Sequence, residues 1–234
     1  LGITKANLKD EGIPCVNYGE IHSKFGFEVI PERDILKCVD EDYLETGKKS
    51  LLQNGDFVFA DTSEDLEGSG NFTYLNSDET TFAGYHTVIA RLLSQDLPRY
   101  IAYLFDSKIY RNQVIKSVTG VKVFSITQAI LKANYLWLPP IKEQKYIVQY
   151  LDYKTKKIDA LVQKKAALIS ALKEERSALI THSVTQGLDK KAKLKLSDFD
   201  WLCHTPESWS VKPLRFLGKC QNGINIGGEY FGQG

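Results

Sequence analysis

The stretch that decides the fold begins Leu138-Pro139-Pro140-Ile141-Lys142-Glu143-Gln144 and runs on to Thr185-Gln186-Gly187. Pro139-Pro140 ends the preceding strand, and Pro140 suits the first turn of a helix, where its missing N–H has no partner to lose. From Ile141 to Gln186 there is neither Gly nor Pro, and Gly187 then supplies a stop. The pattern predicts a single helix over 141–186, roughly 65–70 Å long at about 1.5 Å per residue. Leu151, Ile158, Lys165, Leu172 and Leu179 form one heptad row. Ile147, Lys154, Leu161, Leu168, Glu175 and His182 form the other. The seam is apolar but broken at Lys154, Lys165 and Glu175; such breaks weaken a coiled coil and can set its register and partner. A helix of this length cannot pack along a small domain and needs a partner helix, in cis or in trans.

Outward from the helix, residues 1–140 read as mixed α/β with short strands. Gly55-Asp56 is a turn before the strand Phe57-Val58-Phe59-Ala60. Residues 13–18 and 85–90 read as further strands, and 120–124 as a strand or turn. Residues 97–113 have helical apolar spacing after Pro98, and Thr127 to Lys132 reads as a short helix. Beyond Gly187, Lys190-Lys191-Ala192-Lys193-Leu194-Lys195 is a basic linker, and Trp201, Trp209 and Pro206 to Leu214 look like the entry to another domain. Gly223-Ile224-Asn225 faintly repeats Gly2-Ile3-Thr4.

The net charge of +1 over 234 residues conceals strong local contrasts. Residues 1–81 carry 7 basic and 17 acidic side chains, whereas 82–133 carry 7 basic side chains and only Asp96 and Asp106 as acids. Residues 141–186 have a net charge of +4. A hydrophobic content of 43% is enough for one good core plus an appendage. No apolar window approaches 18 residues and no basic-then-apolar leader opens the chain, which disfavours a membrane span and a secretory signal. The chain starts at Leu1 and contains no Met, so it reads as a fragment or a sequence with residues dropped. Cys15, Cys38, Cys203 and Cys220 form no C-x-x-C, which predicts isolated buried thiols and a reducing, cytoplasmic setting.

Catalytic motifs do not assemble. Gly47-Lys48-Lys49-Ser50 resembles the end of a P-loop, but Asp42 stands where the first Gly belongs. Pro139-Pro140 lies between Leu138 and Ile141, so the Asn-Pro-Pro-aromatic motif of amino-methyltransferases is absent. Asp61, Glu64 and Asp65 could bind a metal in a nuclease, although a solvated turn accounts for them better. His22, His86, His182 and His204 are scattered.

Several segments together resemble one family, the DNA-specificity subunit of type I restriction–modification systems. The closest likeness is Leu138-Pro139-Pro140-Ile141-Lys142-Glu143-Gln144, followed by Tyr150-Leu151-Asp152, Lys157-Ile158-Asp159-Ala160-Leu161, and Leu179 to Leu188. These are similar to that family's conserved spacer region. Gly55 to Phe59, Asp61-Thr62-Ser63, Gly84-Tyr85-His86 and Gly120 to Ile126 are similar to elements of its recognition domain.

The resemblance implies an α+β fold: a mixed α/β target-recognition domain with a long spacer helix that pairs as an antiparallel coiled coil. It assigns most of a recognition domain to 1–140, the spacer to 141–187, a basic linker to 188–200, and the start of a following recognition domain, which could complete the recognition fold, to 201–234. The sequence departs from the family in having one recognition domain and one spacer where two of each are usual. The usual opening strand is missing at the N-terminus, and a segment like it lies at 209–224.

The family does no chemistry itself. It directs methyltransferase and restriction/translocase subunits to a bipartite site on double-stranded DNA. S-adenosylmethionine and ATP with Mg²⁺ are then expected on those partners, and no cofactor or metal on this chain. For phosphate contact the basic stretch offers Arg91, Arg99, Lys108, Arg111, Lys116 and Lys122. For base reading the loops offer Lys5, Tyr18, Thr62, Ser63, Tyr85 and His86. A one-domain chain would read a bipartite site by forming a homodimer through Ile147, Leu151, Ile158, Leu161, Leu168, Leu172 and Leu179. The alternative is a coiled-coil adaptor that binds protein only. The recognised DNA sequence is not legible in the chain.

Overall fold

The computed structural model describes residues 2–118, 120 and 123–223. Val121 and Lys122 of the predicted 120–124 element and the repeated Ile224-Asn225 lie outside the described residues. The chain divides into two compact units, Leu1–Lys157 and Ile158–Gly234.

The first unit contains, in chain order, β1 (Ile13–Val16), α1 (Tyr18–Ser23), β2 (Glu28–Val29), β3 (Lys37–Val39), α2 (Tyr43–Thr46), β4 (Phe57–Ala60), β5 (Thr62–Ser63) and β6 (Phe72–Leu75). It continues through β7 (Phe82–Ala83), β8 (Thr87–Ala90), α3 (Pro98–Asp106), α4 (Lys108–Ser117), β9 (Phe124–Ser125) and α5 (Gln128–Ala133). A four-stranded sheet has the order β2-β6-β4-β8 and a three-stranded sheet the order β3-β1-β7, while β5 pairs with β9.

β4 organises the unit because all four of its residues are buried. Alternation along a strand sends neighbouring side chains to opposite faces of the sheet. Phe57 and Phe59 enter one core with Phe72, Tyr74, Ile101 and Phe105. Val58 and Ala60 enter a second core with Val16, Ile21, Val29 and Leu75. The strand therefore has no solvent face, and each buried Phe is worth about 2–3 kcal/mol by area. The Gly55-Asp56 turn stands where the sequence places it. Gly55 has φ +89°, and a Cβ there would lie 2.9 Å from Pro98 Cγ, so only glycine fits.

Four predicted elements change. No strand precedes Pro139-Pro140, since residues 134–140 have no regular structure. The strand read over 13–18 ends at Val16, because the Asn17 side chain accepts from the Glu20 N–H and starts α1 at Tyr18. The single helix expected over 97–113 is two helices, α3 and α4, broken at Ser107 (φ −67°, ψ 141°). The Ser107 hydroxyl accepts from the Tyr110 N–H at 3.3 Å and donates to the Leu104 carbonyl at 2.7 Å, ending one helix and capping the next. The strand expected from Tyr85 begins only at Thr87, because His86 has φ +54° and cannot join a ladder.

The predicted long helix is present over its expected span as α6 (Ile141–Gln186, 46 residues), which runs from the first unit into the second. Gly187 takes φ +79° and ends it. In the second unit, β10 (Leu194–Leu196) and β11 (His204–Pro206) form an antiparallel pair. β10 thus lies within the stretch read as a linker, and the Lys195 ammonium donates to the carbonyls of Glu207 and Trp209 at 3.0 and 2.8 Å. Cys15 and Cys38 are buried as expected; Cys203 and Cys220 are exposed, correcting that expectation for half of the cysteines. Cys203 precedes β11 and Cys220 follows it, in a stretch without a core of its own. Burial pushes the Cys15 thiol up to about 12, which keeps it protonated and inert.

Candidate nucleic-acid interface

Five of the predicted base-reading residues gather at the start of α1 (Tyr18), on β5 (Thr62, Ser63) and in the turn before β8 (Tyr85, His86). Asn17 caps α1 by accepting from the Glu20 N–H, which sets Tyr18 at the start of the helix. Tyr18 then meets the rings of Tyr85 and His86, each at 5.4 Å between centroids. Tyr18, Thr62 and Ser63 line one cleft of about 690 Å³, together with His22, Asn71, Glu64, Asp65 and Glu67. Lys5 stands apart from this group, exposed in the short turn Lys5–Asn7.

His86 is the one non-glycine residue with positive φ among the described residues. A backbone so held costs on the order of 1–3 kcal/mol and persists only where its surroundings enforce it. Here the Asp61 N–H donates to the His86 carbonyl at 3.1 Å, and Asp61 Oδ1 lies 3.1 Å from His86 Nδ1. The ring is left half exposed beside two tyrosines.

Behind the cleft a relay of hydrogen bonds fixes its floor. Arg111 Nη1 donates to Asn71 Oδ1 at 2.8 Å, which orients the amide. Asn71 Nδ2 must then donate to His22 Nδ1 at 2.9 Å. His22 accepts at Nδ1, so it carries its proton on Nε2 and donates to the Thr62 carbonyl at 2.9 Å. Sequence reading offers Arg111 for phosphate and leaves His22 among scattered histidines, since the residues of this relay lie 40 and 49 positions apart.

The arginines of the predicted phosphate-binding pool are engaged within the fold. Arg91 holds the buried Asp56 carboxylate through Nε at 2.7 Å and Nη2 at 2.5 Å, and these bonds raise its pKa. Arg99 bonds Asp152, Glu28 and Tyr74. Burial alone would lower its pKa, but the bonds to Asp152 and Tyr74 outweigh that and raise it. Burial likewise pushes Glu28 up, and hydrogen bonds from Arg99 and Arg33 overturn this and hold it below the ordinary carboxylate range. Arg111 serves Asn71 and Asp106. Lys108 and Lys116, on α4, are exposed.

The acidic residues weighed as nuclease ligands do not converge. Asp61 faces His86, and Asp65 accepts from the Gly68 N–H at 2.5 Å. Among the described residues no group of three or more His, Cys, Asp or Glu side chains is placed to hold a metal ion.

Of the predicted dimer residues, Ile147 packs with Val148 against the core that contains Phe105. One face of the first turns of α6 thus packs on its own domain, while Tyr146 and Tyr150 on the other side are exposed. Leu151 is half-buried. Further along the helix, Ile158, Leu161, Leu168, Leu172 and Leu179 are all more than half exposed.

The sequence profile of the type I restriction modification DNA specificity domain matches residues 3–170. The chain belongs to this family. A curated relative, the type I restriction enzyme EcoKI specificity subunit of Escherichia coli (strain K12), is 26% identical over 129 residues, covering 54% of this chain and 26% of the relative. A solved chain from a study of complex assembly and conformational transition of the type I R-M system superposes with a TM-score of 0.59 at 17% identity, over 80% of this chain and 43% of that one. That likeness supports the mixed α/β fold with a long helix. The HsdS subunit of Thermoanaerobacter tengcongensis aligns over 80% of this chain and 42% of its own, with a TM-score of 0.48 and 17% identity. The chain spans about a quarter of the curated relative's length and less than half of either solved chain. Among the described residues no helix is long and apolar enough to cross a membrane.

Proposed function

We propose that this chain is a non-catalytic DNA reader that directs methyltransferase and restriction/translocase subunits of a type I complex to a bipartite site on double-stranded DNA. The observation that carries the reading is the cluster of Tyr18, Tyr85, His86, Thr62 and Ser63 within one compact unit, joined to a 46-residue helix. Polar side chains on a fixed scaffold suit base-edge reading, where each good contact discriminates by about 1–3 kcal/mol. Glu64, Asp65 and Glu67 repel phosphate and can accept from cytosine amino groups, so the cleft meets base edges and not the backbone. Backbone attraction falls to Lys108 and Lys116, with Lys5 and Lys122 as further candidates; Arg91, Arg99 and Arg111 act by holding the fold.

In this reading residues 1–140 are most of a recognition domain, 141–187 the spacer, 188–200 a basic linker and 201–234 the start of a following recognition domain. Two copies pair through α6 as an antiparallel coiled coil, using its apolar face from Ile158 to Leu179, and so read a two-fold symmetric site. S-adenosylmethionine and ATP with Mg²⁺ belong to the partner subunits, and the complex works in the cytoplasm.

The test is a gel shift against duplex pools, followed by methylome sequencing of cells that carry the chain with its methyltransferase. Salt-sensitive, sequence-selective binding and one bipartite methylated motif are expected. Absence of DNA binding, with retained self-association, would establish the coiled-coil adaptor instead.

A further inference from the structure

The first turns of α6 meet their domain through a single stripe. Gln144, Ile147, Val148, Leu151, Asp152 and Thr155 are the buried or half-buried positions of this part of the helix. Their spacing is that of one helical face. The middle of the stripe is apolar, and Ile147 and Val148 pack on the domain core. Apolar contact alone specifies such a setting weakly, because neighbouring apolar positions can replace one another.

Two polar contacts bracket the apolar pair. At the near end, Gln144 is fully buried. Its Oε1 accepts from the Leu97 N–H at 3.0 Å, and its Nε2 donates to the Pro139 carbonyl at 2.9 Å and to Asp96 at 2.5 Å. At the far end, Asp152 receives Arg99 Nε at 2.7 and 2.9 Å and the Tyr103 hydroxyl at 2.6 Å. Arg99 is itself held by Glu28 at 2.6 Å and Tyr74 at 2.9 Å, and its guanidinium lies 5.5 Å from the Phe27 ring centroid.

We infer that Gln144 and the Arg99–Asp152 pair are positioning residues that lock the rotational phase of the spacer helix to the recognition domain, and thereby set the separation at which half-sites are accepted. A one-residue slip would turn the helix by about 100°. Both Gln144 and Asp152 would then leave their partners, stranding a buried amide and a part-buried guanidinium. The two ends are about 12 Å apart along the axis, so the phase is fixed only while both hold, and losing either leaves the helix held at one point. The inference deepens the proposed DNA-reading function and rests on it for the half-site readout, but the lock itself is a property of the free protein.

The test uses the full chain, with Asp152→Ala as the main variant and Asp152→Glu as its conservative control. Asp152 is part-exposed, so its removal spares both cores. In the DNA-free protein, amide exchange over 145–157 should accelerate about tenfold in D152A while β4 and β6 keep their protection. D152E should restore most of it. Unchanged exchange over 145–157 overturns the lock. A randomised duplex pool is then selected on each protein and sequenced. Wild type should enrich two half-sites at one separation, and D152A the same half-sites over several separations. A D152A pool confined to the wild-type separation overturns the inference. A wild-type pool with no enriched half-sites overturns both the DNA-reading function and the separation-setting role, while the exchange result still judges the lock.

Discussion

Arg91 Nε donates to Asp56 Oδ1 at 2.7 Å, joining the end of β8 to the turn before β4 through a carboxylate that is almost wholly buried. The same Asp56 accepts from the Gln53 N–H at 2.8 Å. One side chain thus closes the turn and anchors the neighbouring strand. Arg91→Ala leaves a buried anion without its cation and should cost about 2–3 kcal/mol. Urea unfolding should show a lower midpoint with an unchanged slope. An effect below 0.5 kcal/mol would mean that Asp56 is solvated.

Glu28 links pH to stability. Its folded-state pKa lies below the ordinary glutamate value of 4.5. Its stabilisation is therefore fully present above 4.5 and is lost as pH falls through the lower folded-state value. Thermal melts of wild type should lose stability in that acid window more steeply than melts of Glu28→Gln. At neutral pH the variant should be the less stable of the two. Parallel acid limbs would rule out the link.

The Arg111–Asn71–His22 relay supports the cleft and reaches β5 through the Thr62 carbonyl. Asn71→Leu removes both the acceptor for Arg111 and the donor to His22. It should weaken selective DNA binding about tenfold while changing nonspecific binding little, as competition with random duplex would show. Equal losses of selective and nonspecific binding would instead make the relay a general stabiliser.

Lys108 and Lys116 are the exposed cations of α4. If they meet phosphates, replacing either with Ala lowers the salt slope of DNA affinity by about 1 and weakens binding to all sequences alike. An unaltered slope places α4 away from DNA.

Leu168 and Leu172 lie four residues apart on the exposed face of α6. If two copies pair through this face, replacing both with Lys shifts the chain to monomer in sedimentation velocity at micromolar concentration, with helix content by circular dichroism little changed. A dimer that survives the double substitution uses another surface.

Some of this architecture was legible directly from the chain. Pro139-Pro140, the unbroken run that follows and Gly187 bounded α6 because proline and glycine act on their own backbone, whatever surrounds them. Phe57 to Ala60 declared a strand by composition and by the turn before it. The break at Ser107 was missed because the apolar spacing runs through it, and a serine hydroxyl caps a helix only once the backbone has turned. Tyr18, Thr62, Ser63, Tyr85 and His86 were legible as loop candidates, but not that Tyr18 shares a cleft with Thr62 and Ser63 and packs beside Tyr85 and His86.

The sequence by itself determined the helix and its ends, the turn at Gly55, the β4 strand and the family likeness, because these depend on dihedral limits and on local periodicity. Only the tertiary structure decided which charges are free. Arg91, Arg99 and Arg111 looked like a surface for phosphate, yet their carboxylate and amide partners lie 35, 53 and 40 residues away in the chain. Ion pairing acts through space at a few ångströms, so a charge count along the chain cannot separate a cation that holds the fold from one that meets DNA.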